Sequence, residues 1–219
     1  MDIKSNISEL RKNIPEAVQL VCVSKFHSQE SIMAAYEAGE RDFGESRVQE
    51  LVVKEANLPK DIRWHFIGPL QTNKIKQIVS FVSLIHSVEN FRQIDEIQKQ
   101  ASKIDKTVNV LFEVHISQEV QKHGFAEEEI KEIFSSNILA QYPNINVCGL
   151  MGIASLTDDI EQIRQEFMSI KKLFDELRQT NHTLKHLSIG MSDDYPLAIE
   201  EGGNMIRIGS RIFGARIYN

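Results

Sequence analysis

Short apolar runs of strand length alternate with longer runs of helical periodicity along the whole chain, and this alternation limits the possible folds more than any other feature. Strand candidates lie at residues 20–24, 41–44, 63–67, 81–86, 108–115, 146–151, 186–189 and 205–208. Between them are helix candidates at 28–38, 46–56, 72–79, 91–103, 127–135, 160–178 and 195–201. Ser28 stands as an N-cap before Gln29-Glu30, and Asp193-Asp194 precede a helix that carries Pro196 in its first turn. Strands that return through helices are parallel neighbours, since a parallel connection needs about a dozen residues or more. Eight such units predict a closed (β/α)8 TIM barrel, and 219 residues lie near the lower end of that fold's range of about 200–400. Residues 1–219 are therefore expected to form one barrel domain. The rival, an open doubly wound sheet, lacks its glycine fingerprint, because Val23 is followed by Ser24-Lys25-Phe26-His27-Ser28.

Composition bears on compartment and partners. The apolar share of 42% can fill a barrel's core, and with 26% charged residues nothing points to disorder. Acidic residues outnumber basic ones by 31 to 25, and a net charge of −6 repels a phosphate backbone, so no nucleic-acid partner is expected. Residues 1–17 lack the apolar stretch of a signal peptide, and no run approaches the ~18 apolar residues of a membrane span. The expected location is cytoplasmic, without a membrane partner. Cys22 and Cys148 each sit in an apolar segment and read as buried thiols, neither a bridge nor a zinc site.

Barrels keep their chemistry at the C-terminal ends of the strands. That rule selects Lys25, Glu45, Gly68, His115, Met151, the run 188–192 and the run 207–210. Lys25 follows Val21-Cys22-Val23-Ser24 and would bring an amine to the barrel mouth. An amine in a low-dielectric site loses its proton cheaply, as Schiff-base chemistry requires. By position alone, a lysine snorkelling off a strand end explains it equally well. Gly209 and Ser210 follow the eighth strand, where this fold repeatedly builds phosphate sites from backbone N–H groups, and Ser188 to Ser192 offer similar parts from the neighbouring loop. Taken singly, Gly-Ser is an ordinary turn and Arg207 an ordinary surface ion pair. His65, flanked by Trp64 and Phe66, reads as a hydrogen-bonded core histidine, and the seven histidines show no metal-ligand spacing.

Several longer stretches carry a family likeness: Val23-Ser24-Lys25, Phe43-Gly44-Glu45 with Val48-Gln49-Glu50, Trp64-His65-Phe66-Ile67-Gly68, Lys122-x-Gly124, Gly149-Leu150-Met151, Leu187-Ser188-x-Gly190-Met191-Ser192-x-Asp194, and Arg207-Ile208-Gly209-Ser210 through Phe213-Gly214-x-Arg216. In this order, over about residues 21–218, they resemble the pyridoxal phosphate homeostasis proteins (YggS/PROSC-like). The resemblance implies an alanine-racemase-like barrel without the racemases' second β domain. It further implies pyridoxal 5′-phosphate attached to Lys25, Arg207 beside the pyridine nitrogen, and Ser188, Gly209 and Ser210 around the phosphate. One departure is local: the family commonly reads Phe-Gly-Glu-Asn-Tyr, whereas Ser46 and Arg47 follow Glu45 here, so no role is carried over to Ser46.

The same resemblance implies a role in storing and delivering the cofactor, with apo forms of pyridoxal phosphate enzymes as partners and an influence on amino-acid and keto-acid balance. An arginine beside the ring nitrogen disfavours its protonation and weakens the ring as an electron sink. With no second domain to supply a second base, the chain is expected to be a monomeric, non-catalytic binder. Two other readings stay open. One is an amino-acid racemase or decarboxylase using His65 or Tyr195 as the second acid or base; the other is a phosphosugar aldolase or isomerase in which Lys25 condenses with the substrate.

Overall fold

Alternate residues of each strand face opposite ways, and in this chain the set that meets the helices is largely apolar, with Leu20, Cys22, Phe43, Trp64, Phe66 and Phe112, while the inward set mixes apolar residues with polar ones such as Asp42, His65, Ser188 and Arg207. The computed structural model describes residues 2–117 and 123–214; Lys122 and Arg216 of the family-like stretches lie outside them. Helix α1 (Ile3–Lys12) leads into β1 (Gln19–Val23), followed by α2 (Gln29–Glu37), β2 (Asp42–Glu45), α3 (Val48–Asn57) and β3 (Arg63–Phe66). A 3-10 segment, Thr72–Gln77, leads to β4 (Leu84–Val88), α4 (Phe91–Ser102), β5 (Val108–Glu113), α5 (Glu127–Ser135) and β6 (Ile145–Met151). The order ends α6 (Ile160–Arg178), β7 (His186–Ser188), α7 (Tyr195–Glu200), β8 (Met205–Ile208) and the short α8 (Ser210–Phe213).

All eight strands are parallel and close into a barrel in sequence order, with β8 returning to β1 so that Val21 lies opposite Arg207 and Cys22 opposite Ile208. The predicted (β/α)8 barrel is therefore present. Inward residues such as Val21, Leu84, Leu111, Met151 and Met205 form a small inner cluster, while Leu20, Cys22, Phe43, Phe66 and Phe112 join the larger layer between strands and helices. Helix α6 presents an apolar stripe to that layer, with Phe167, Ile170, Phe174 and Leu177 buried. Ser28 caps α2 by accepting from the Ser31 amide. Cys22 and Cys148 are unpaired buried thiols, each pushed up in pKa by burial, Cys148 to about 11. Among the described residues no helix is long and apolar enough to cross a membrane.

Three elements depart from expectation. The fourth strand starts at Leu84 rather than residue 81 because Phe81 and Val82 finish the turn after the 3-10 segment, donating their amides to Ile78. The helix expected over 72–79 is that 3-10 segment. Helix α1, not read from the sequence, packs Ile7 and Leu10 against the barrel wall and ties its Asn6 side chain to the Ile212 carbonyl of α8 at 2.9 Å.

Candidate functional site

Lys25 follows β1 by two residues. Val21 faces the barrel interior and Val23 continues that side to the strand's end, beyond which Lys25 lies half-buried in a turn at the C-terminal mouth. Its two neighbours are held from outside the barrel. The Ser24 carbonyl accepts from Lys54 Nζ of α3 at 2.9 Å, and the Phe26 amide donates to Glu50 Oε1 at 2.8 Å. Phe26 has a φ of 67°, a left-handed conformation that costs a non-glycine residue energy unless its surroundings impose it. Lys54 also donates to Glu45 Oε1 at 2.8 Å and to Glu50 Oε1 at 2.6 Å, and Ser24 Oγ donates to Glu45 Oε1 at 2.5 Å. Glu45, picked from the sequence as a mouth residue, therefore points outward into the layer between β2 and α3. Burial raises its carboxyl pKa to about 7, against the pull of Lys54.

On the other side of the seam, Arg207 of β8 is buried inside the barrel. Its Nη1 donates to the carbonyl and to the hydroxyl of Ser188, both at 2.7 Å, and its Nη2 to the Gly152 carbonyl at 3.0 Å. Three of its five N–H groups are thus taken among the described residues, and it has no ion-pair partner there. Burial pushes its pKa down to about 10, with Asp194 and Glu113 acting in the opposite sense, so it stays a cation at neutral pH.

Gly209 packs against the end of β1: a Cβ there would lie 3.2 Å from the Val23 carbonyl. Its amide donates to Ser192 Oγ at 3.3 Å, and Ser210 follows in the first turn of α8. Gly190, with φ 88°, lets the loop after β7 fold close to Tyr195 and Ala198, which brings Ser192 to Gly209.

A cavity of about 680 Å³ opens beside this cluster, over the ends of β3, β5, β6 and β7, lined among others by Gly68, Glu113, His115, Ser155, Met191 and Asp194. Lys25, Ser188, Arg207, Gly209 and Ser210 do not line it; Arg207 comes to its edge through the Gly152 carbonyl, next to the lining residue Ile153. The cavity's Glu113 has its pKa raised to about 7 by burial, with Glu89 adding to the shift. Met151 is buried in β6 and does not reach the cavity.

His65 behaves as the core histidine expected of it. It lies inside the barrel, bonded to Asp42 and His86, and it also borders a second cavity of about 600 Å³ at the opposite, N-terminal end of the strands. It is not at the mouth. Lys54, Glu50 and His86 escaped sequence reasoning as functional residues, whereas Ser192 lay in the run 188–192 already read as a phosphate-loop candidate; the Glu50–Lys54 spacing of one helical turn was the available signal for the first two.

Residues 1–217 match the family model described as alanine racemase, N-terminal domain. The pyridoxal phosphate homeostasis protein of Aquifex aeolicus is 43% identical over 91% of this chain and 88% of its own length. PipY of Synechococcus elongatus, solved with pyridoxal phosphate bound, superposes with a TM-score of 0.86 at 33% identity, over 97% of this chain and 100% of that one. Alanine racemase of Clostridium difficile shares the fold, with a TM-score of 0.83 at 14% identity over 100% of this chain and 58% of the racemase.

Proposed function

Since the chain belongs to the alanine racemase N-terminal domain family, alongside the pyridoxal phosphate homeostasis proteins, we propose that it binds pyridoxal 5′-phosphate on Lys25 and holds or hands on the cofactor without turning over a substrate. The carrying observation is the seam between β8 and β1. There a half-buried lysine, a buried arginine with N–H groups in reserve, and a glycine–serine turn meet although they are far apart in sequence.

The donor set fits the cofactor's three polar features. Gly209 and Ser210, helped by the Ser192 hydroxyl, would bind the phosphate through amides and hydroxyls. Arg207, a permanent donor, would meet the pyridine nitrogen and leave it unprotonated. Lys25 would carry the aldehyde carbon. When bound, the cofactor supplies an electrophilic aldehyde that condenses with an amine. Ser188, placed around the phosphate by the family likeness, has its hydroxyl occupied between Arg207 and His86 and so serves the guanidinium.

The absence of turnover rests on two features. Arg207 stands where a strong electron sink would need an acid, and His65, one of the two side chains considered as a second base, faces the far end of the barrel. Handing the cofactor to apo-enzymes, as a monomer in the cytoplasm, belongs to the same proposal.

The purified protein should be yellow, and Lys25→Ala should lose both the visible band and the adduct trapped by borohydride. Mass spectrometry that finds the adduct on another lysine would refute the assignment. In heavy water, α-proton exchange of L-alanine by the loaded protein should match that with free cofactor; faster exchange that depends on Lys25 would promote the racemase reading.

A further inference from the structure

We propose that Asp42, His65 and His86 are positioning residues for Arg207, joined to it through Ser188 by a one-directional chain of hydrogen bonds along the inside of the barrel. The proposal rests on the reading of Arg207 as the group that meets the cofactor's ring nitrogen. Every link is short and every member buried. Asp42 Oδ1 lies 3.0 Å from His65 Nε2, His65 Nδ1 lies 2.9 Å from His86 Nε2, and His86 Nδ1 lies 3.1 Å from Ser188 Oγ. Arg207 Nη1 completes the line at 2.7 Å from the same oxygen.

The two ends fix the direction. A guanidinium can only donate, and an ionised carboxylate can only accept. Burial opposes ionisation of Asp42, but two parallel 2.7 Å bonds from Arg63 and the contact with His65 hold its carboxyl well below the usual range. His86 is kept neutral by burial first, and by the neighbouring His65 and Arg207. A singly protonated His65 can meet the carboxylate only through Nε2–H, and its Nδ1 then accepts from His86 Nε2–H. His86 Nδ1 then accepts the Ser188 hydroxyl proton, and the Ser188 lone pairs are left for Arg207. Each donor points towards Asp42.

Such an arrangement does two things for a buried cation with no ion-pair partner among the described residues. It pins the Ser188 hydroxyl, which would otherwise rotate and turn its proton towards the guanidinium. It also relays the negative charge of Asp42 towards Arg207 through polarised bonds. The bottom of the barrel would thus help set how firmly the mouth holds the ring nitrogen.

The test has one readout that needs no cofactor. Nitrogen-15 NMR of the apo-protein should find the proton of both His65 and His86 on Nε2, and in His65→Phe the His86 proton should move towards Nδ1. With pyridoxal phosphate, His65→Phe and Asp42→Asn should bind roughly tenfold more weakly, the equivalent of about one hydrogen bond, with a shifted visible absorbance. Arg63→Lys changes the partner of Asp42 but keeps a cation beside it, and should match wild type in both cofactor readouts. A wild-type His86 proton on Nδ1 would overturn the proposal. So would variants of Asp42 and His65 with unchanged affinity and spectrum, or an Arg63→Lys that loses as much as Asp42→Asn. If the wild type takes up no cofactor, the binding reading fails, while the apo-protein spectrum still decides the direction of the chain.

Discussion

Replacing Lys54 by methionine keeps the aliphatic stem and deletes the ammonium that joins three acceptors behind Lys25. Lys54 is buried, as is Glu45, and the ammonium donates to the Ser24 carbonyl, Glu45 and Glu50 at 2.9, 2.8 and 2.6 Å. In Lys54→Met, Glu45 keeps the Ser24 hydroxyl as its donor but loses its cation, and the Ser24 carbonyl loses a partner. Breaking a buried pair from one side costs about 3–5 kcal/mol. Against a total stability of about 5–15 kcal/mol this is large and still measurable. The loss depends on pH, because Glu45 can escape by taking a proton. Its folded pKa is already raised to about 7, and without the cation it rises further, so the variant suffers less at pH 6 than at pH 8.5. Urea unfolding followed by far-ultraviolet circular dichroism should show a deficit of about 3–5 kcal/mol at pH 8.5, a smaller one at pH 6, and partial recovery in the double variant Glu45→Gln with Lys54→Met. Cofactor should also leave Lys54→Met faster, because the carbonyl on one side of Lys25 is no longer held. A single variant within about 1 kcal/mol of wild type at pH 8.5, or a double variant no better than the single, would refute the reasoning.

Four further outcomes follow from the geometry. Ser210→Ala should bind pyridoxal phosphate roughly ten- to hundredfold more weakly in a spectrophotometric titration, the size of one charge-assisted hydrogen bond at ~1.5–3 kcal/mol; Gly209→Ala, with its Cβ 3.2 Å from the Val23 carbonyl, should weaken binding while still folding. Burial raises the Glu113 pKa to about 7, above the ordinary carboxylate value of about 4.5, so its ionisation disfavours the fold progressively between those pH values; Glu113→Gln should remove up to about 3 kcal/mol of that decline, and matching pH profiles for variant and wild type would contradict it. Gly149→Ala puts a Cβ 1.9 Å from the His186 carbonyl, so β6 and β7 cannot stay paired, and soluble yield and thermal midpoint should fall far below those of Gly209→Ala.

The barrel was legible because period and spacing are local properties. Val21 to Ser24, with polar residues following, announces a buried strand and its end, and the stripe on α6 announces a helix with one covered face. Which side of the sheet a strand's last residue takes is less legible. Lys25 and Glu45 both looked like mouth residues, yet parity and an outside cation send Glu45 into the helix layer. The β4 boundary failed for a related reason, since Phe81 and Val82 are apolar enough for a strand but serve to bury a turn. The line from Asp42 to Arg207 could not be read at all. Its members come from β2, β3, β4, β7 and β8, and closure of the barrel alone makes them neighbours.

The seam between β1 and β8 also sets a timetable. Val21 and Arg207 face each other across it, yet the first is synthesised long before the second. At ribosomal rates of about 5–20 residues per second, the roughly 185 residues between them take about 10–40 s to appear. Through that interval the strand that delivers Lys25 has no β8 beside it, and neither Arg207 nor the Gly209–Ser210 turn exists. On the proposed site, a nascent chain would offer the cofactor an amine but neither of the other two contacts. Stable capture would then wait for the last strand to dock and close the ring.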